Sequence, residues 1–158
     1  MELPAALREA LRPLFDAFPL ESAMESLVVT AAPPQNFTGL VEDLVGVPVL
    51  SARPALCAGL WLYVDDLERS HVLSQGIDDS TGSFWHGIMH RREGDFSNSH
   101  YWFRRVGTHP AMKSIPGYDA HGFIDEVERR RAQKAPDLVA LQRKEWETLF
   151  TWCAERDV

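Results

Sequence analysis

Apolar residues along this chain recur at intervals of three and four far more often than at two, so the pattern predicts helices almost throughout. Residues 4–17, about 20–29 and 37–45 form three short helical patterns, separated by Pro19 and by the Pro33-Pro34 pair. A longer helix is predicted from Pro54, which suits a first helical position, to about Gln75, with Gly76 just past its end. Leu56, Leu60, Val64 and Leu67 make its apolar stripe, stepping by four, four and three. Only LVVTAA and VGVPVL read as strand-like, and prolines at 33, 34 and 48 interrupt their surroundings.

The second half is punctuated more strongly. Ser80 or Thr81 can cap a helix running to Glu93, and Gly94 can end it in a left-handed turn. Asp95 or Ser97 can cap the next, which runs to Val106 and stops at Gly107, with Pro110 beyond. SIPGYDAHG reads as loop, residues 120–134 as a charged helix, and Asp137 to about Glu155 as the last helix. No repeat or linker divides the chain. Residues 1–158 therefore read as a single all-α domain, a compact bundle or orthogonal array.

Charge narrows the set of partners. The net charge of −7 opposes general binding to nucleic acid or to an anionic membrane. Residues 1–50 carry two basic and seven acidic groups, whereas residues 86–113 carry five basic and two acidic. Cys57 and Cys153 lie far apart with no CxxC spacing, which supports neither a disulfide framework nor a cysteine metal site. The first residues, MELPAALREALRPLF, lack the apolar run of a signal peptide, and PALCAGLWLYV is too short to span a bilayer. The expectation is a reduced, cytoplasmic protein.

The basic island coincides with WHGIMHRREGDFSNSHYWFRR, which holds three of the six histidines. His86 and His90 are four apart with Glu93 three further on, so all three share a helical face. That spacing lets two imidazoles grip one metal ion. Continuing the stripe of the preceding helix by four places brings in His71, and four more reach Gln75. Three imidazoles and a carboxylate would suit zinc, iron, manganese or nickel rather than calcium. On this reading His71, His86 and His90 are the metal ligands, and Glu93 is a fourth ligand or proton acceptor, with Tyr101 beside it as a second candidate catalytic group. Arg91, Arg92 and Arg105 would orient a small anionic substrate by guanidinium forks, with Gln75 and Asn98 completing the pocket. The alternatives are histidines hydrogen-bonded to the backbone and arginines paired with Glu93 and Asp95 across the turn. Arg104-x4-His109 fits the loose spacing of helical ribonucleases, a reading the acidic balance opposes.

Residues 70–107, SHVLSQGIDDSTGSFWHGIMHRREGDFSNSHYWFRRVG, resemble a family of uncharacterised, mainly bacterial proteins that carry a close version of this block. The resemblance implies that His71, Gln75, His86, His90, Arg91, Arg92, Glu93, Asp95, Asn98 and Tyr101 act as one unit. It implies no reaction. Together these readings lead us to expect a metal-dependent enzyme acting on a small anionic metabolite, or no metal at all. The rival expectation is a non-catalytic module that binds an anionic metabolite or nucleotide, or a polar network supporting a homo-oligomer.

Overall fold

The computed structural model describes residues 1–156, and every regular element among them is helical. They are α1 (Ala5–Ala17), α2 (Gln35–Val45), α3 (Pro48–Ser51), α4 (Pro54–Tyr63), α5 (Leu67–Ser74), α6 (Ser80–Glu93), α7 (Phe96–Val106), α8 (Ala120–Arg130) and α9 (Pro136–Arg156). A 3-10 turn, Pro110–Ser114, lies between α7 and α8. No helix among the described residues is long and apolar enough to cross a membrane.

Two helices lie at the centre. Every residue from Ala55 to Tyr63 of α4 is buried, as expected from its uniformly apolar sequence. The second is α6, buried from Thr81 to Arg92 although its sequence, STGSFWHGIMHRRE, is largely polar. Each polar side chain on it must therefore find a partner inside the protein or remain unsatisfied. Around this pair α9 closes the core. Trp146 stacks on Phe150 with ring centroids 4.6 Å apart, and its indole N–H donates to the carbonyl of Gly59 at 2.8 Å. On the far side α7 crosses α6 closely: a Cβ added at Gly87 would lie 2.8 Å from the ring of Phe103.

Helix ends follow the sequence where short polar side chains and glycines mark them. Gly94 ends α6 at φ 87°, and the Asp95 carboxylate then accepts from the Asn98 backbone N–H to open α7. Gly107 ends α7 at φ 59°. The cap of α6 is Asp79, whose carboxylate accepts from Gly82 N–H, rather than Ser80 or Thr81. Asp119 likewise caps α8 within the stretch read as loop, and α8 stops at Arg130, short of residue 134.

Three expectations are corrected. Residues 20–29 do not form a helix: the chain turns after Pro19, Met24 takes φ 53°, and Val29 N–H is drawn to the carbonyl of Arg92 at 2.7 Å. VGVPVL is no strand, since it ends α2 and forms α3. The long helix from Pro54 to Gln75 is two helices, broken at Val64–Asp66. Asp65 adopts φ 62° there, and Asp66 caps α5 by accepting from Arg69 N–H. The break resets the helical phase. On α5 it is Ser70 and Ser74 that are fully buried, while Leu67 and His71 are partly exposed and Gln75 is exposed.

Candidate metal centre

Three imidazoles meet where α5 packs against α6. His86 and His90 project from one face of α6, with rings nearly parallel and centroids 4.7 Å apart. His71 comes from α5 and meets both edge-on, at 4.7 Å from His86 and 5.4 Å from His90. One ligand nitrogen from each lies within 4.8 Å of the other two. A tetrahedral zinc ion with ordinary Zn–N bonds needs its nitrogens about 3.3 Å apart, so small side-chain rotations would bring these onto a common ion.

The surroundings differ from ring to ring. His86 is 3% exposed, and its buried Nδ1 has no hydrogen-bond partner among the described residues. Burial, and then the neighbouring His90 and His71, hold its pKa down to about 3. His86 is therefore neutral at physiological pH, the form in which imidazole binds metal. Trp102 of α7 covers it, stacked at 3.8 Å and 16°. His90 donates its Nδ1–H to the Glu93 carboxylate at 2.6 Å, taking Glu93 as ionised. That contact fixes the His90 ring and leaves Nε2 as its lone-pair nitrogen, as a carboxylate does behind a metal-bound histidine. Glu93 is thus placed on the Nδ1 side of His90. His90, Glu93 and Asp95 also form a second group with ligand atoms within 4.8 Å, but Asp95 is already engaged by Asn98 and Ser97.

The arginines go elsewhere. Arg91 is fully buried and forms a two-pronged pair with Glu145 of α9, at 2.9 and 2.6 Å, its guanidinium 4.0 Å from the centroid of the Phe123 ring. The Tyr118 hydroxyl donates to the same carboxylate, and burial followed by that neighbouring charge holds the phenol well above its ordinary pKa. Arg92, equally buried, donates to the carbonyls of Leu62 and Ser26 and to the Asp65 carboxylate at 2.8, 3.2 and 2.6 Å. Both guanidiniums are committed inside the protein, and the expectation that they receive a substrate is corrected. The reason is helical phase: one residue beyond His90 turns about 100° away from its face. The pairing partners are not Glu93 and Asp95 across the turn but distant carboxylates.

The remaining candidates scatter. Arg105 lies 5.2 Å over the Trp102 ring, and Tyr101 meets Trp102 edge-on while 45% exposed. These two are one layer removed from the imidazoles. Asn98 turns back to Asp95 at 2.6 Å, and Gln75 is exposed beyond the end of α5. His109 is buried beneath the 3-10 turn, Nε2 on Thr81 at 3.1 Å and Nδ1 accepting from Ala111 N–H, so it makes no pair with Arg104 for ribonuclease chemistry. Sequence reasoning passed over one histidine cluster. His100 bridges the Asp125 carboxylate at 2.9 Å and His121 at 2.7 Å, joining α7 to α8. Its signal was faint, because the two histidines lie 21 residues apart on different helices.

No family model matches the chain, and no solved structure matches it. Among curated proteins it is similar to the rice (Oryza sativa subsp. japonica) 4-alpha-glucanotransferase DPE2, at 27% identity over 90 residues. That stretch is 57% of this chain and 9% of the glucanotransferase, so the likeness shows no family.

Proposed function

We propose that His71, His86 and His90 bind one divalent transition metal, and that the protein is a metal-dependent enzyme acting on a small anionic metabolite. The observation that carries the reading is the convergence of three imidazoles, one of them neutral, buried and lacking a partner at Nδ1. A structural core histidine has its polar atoms satisfied, as His109 does. His86 does not. Three imidazole nitrogens without thiolate favour zinc, nickel, iron or manganese and leave a coordination position for water or substrate. A metal so held would lower the pKa of a bound water and polarise an anionic substrate's oxygen. Glu93 holds the His90 ring, and Trp102 shields one face of His86 from solvent. With Arg91 and Arg92 engaged internally and Arg105 beyond Trp102, anion recognition falls to the metal. A cytoplasmic setting belongs to the same proposal, and Cys57 and Cys153 are both buried.

A second reading takes its support from Trp102: its stack on His86 is also what a purely structural aromatic and imidazole cluster would show. Metal analysis separates the two. Tag-free protein, stripped and titrated with cobalt(II), should bind one equivalent and develop the visible absorption of a low-coordinate site. His86→Ala/His90→Ala should abolish both. Failure of the wild-type protein to bind, or unchanged uptake by the double variant, would leave the structural cluster as the answer.

A further inference from the structure

A cleft of about 1050 Å³ opens between α4, α5 and the irregular segment at residues 29–33. Its volume suits a small organic molecule. The walls are mostly apolar, and three carboxylates line it (Asp65, Asp66 and Glu68) against one cation, Arg69. The buried Arg92 neutralises Asp65 from beneath, while Glu42 adds a further acid beside Arg69. An acidic excess remains.

Arg69 is the informative residue. Its guanidinium lies 4.5 Å from the centroid of Trp61, with Nε 3.6 Å from Asp66 and Nη1 3.8 Å from Glu42. Both distances exceed hydrogen-bond reach. Arg91, Arg92, Arg129 and Arg130 meet carboxylates squarely, at 2.6–2.8 Å, whereas Arg156 lies over Trp152 with a single carboxylate, Glu155, at 3.7 Å. Among the described residues, Arg69 alone combines an aromatic face with two carboxylates just out of reach, on a half-exposed side chain. The arrangement is that of a receptor for a cation: an indole face that attracts positive charge, acids around it and an apolar wall for an aliphatic body. Arg69 occupies it loosely.

We propose that this cleft binds a small organic cation, an alkylguanidinium or alkylammonium with a short apolar chain, and that Arg69 is the built-in occupant such a ligand displaces. The cation would sit on Trp61 between Asp66 and Glu42, its chain running along the wall beside Val72. The proposal is independent of the metal centre.

The test uses the full chain in the presence of a chelator, titrated with butylguanidinium and, separately, with butylurea, its neutral counterpart of the same shape. Amide and indole shifts in the NMR spectrum report the site. Butylguanidinium should give saturable shifts centred on the Trp61 indole and Val72, whereas butylurea at equal concentration gives none. Arg69→Ala should tighten butylguanidinium binding about threefold to fivefold, the value of one exposed cation–π contact. Glu42→Gln/Glu68→Gln, both at exposed positions, should weaken it by a similar factor. Equal binding of the urea would show an unselective apolar cleft, and absent shifts would show no site. An unchanged affinity in Arg69→Ala would remove Arg69 from the role assigned to it. If Arg69→Ala fails to fold, Arg69→Met, which keeps the aliphatic stem on Trp61, decides the same point.

Discussion

His86 and His109 are both buried imidazoles held in the neutral form, yet their partners distinguish them. His109 has both nitrogens engaged, and adding a proton to Nδ1 would set it against the Ala111 N–H it now accepts from. Burial chiefly holds its pKa near 4, against about 6.5 in an unfolded chain. Above pH 6.5 neither state carries the extra proton, and the full contribution of His109 to stability is present. As the pH falls below 6.5 the unfolded chain takes up a proton that the folded chain refuses, so stability declines until about pH 4, where the folded form protonates too. His86, at about 3, acts in the same direction over a wider window. Thermal unfolding of metal-free protein should therefore show a midpoint falling between pH 6.5 and 4. His109→Gln should be less stable at pH 7 but less acid-sensitive, and an undiminished acid dependence in that variant would exclude His109 as a cause. At this scale the sequence was partly legible. The four-residue step from His86 to His90 was enough to place two imidazoles on one face, but nothing local announced that Arg91 would seek Glu145, 54 residues away.

Elements were legible where the backbone itself demands a residue type. Gly94 and Gly107 take positive φ, and Asp95 satisfies an orphan N–H at a helix start, so each boundary is written in one letter. The break between α4 and α5 is written in none: Asp65 adopts φ 62° without being glycine, held by its ion pair to the buried Arg92. A long-range contact decides that boundary, and a local pattern cannot show it. The crossing of α6 and α7 depends on Gly87 in a different way, through the space it leaves. Helix propensity alone favours Gly87→Ala by about 1 kcal/mol. The added methyl, however, would come within 2.8 Å of the Phe103 ring, and relieving such a clash in a packed core costs about 1–3 kcal/mol. Gly87→Ala should therefore be neutral to destabilising by up to about 2 kcal/mol in chemical denaturation. Adding Phe103→Leu should return part of the loss. A clear gain in stability from Gly87→Ala alone would show that the helices can part freely.

For the whole molecule, the unusual feature is a polar helix placed at the centre. α6 carries two guanidiniums whose partners come from three other parts of the chain: Glu145 from α9, Asp65 and Leu62 from the end of α4, and Ser26 from the connection between α1 and α2. These ties hold α6 at fixed depth and so hold His86 and His90. If the proposed centre forms, a metal at one hundred times its dissociation constant would add about 2.7 kcal/mol to folding stability. For a chain of this size that is an upward shift of roughly 5–10 °C in the unfolding midpoint. Scanning calorimetry with zinc, nickel or manganese against chelator measures it, and His71→Ala should reduce the shift. A wild-type midpoint that ignores every metal would argue against the centre. The three ligands would not share one timescale. Two ride on the helix that the rest of the fold grips hardest, whereas His71 rides on an eight-residue helix, shorter than the roughly 12–15 residues an isolated helix needs for even marginal stability. Loading and release would then be paced by the fraying of α5, and the lifetime of a bound ion would be a clock set by one short helix while the core around it stays closed.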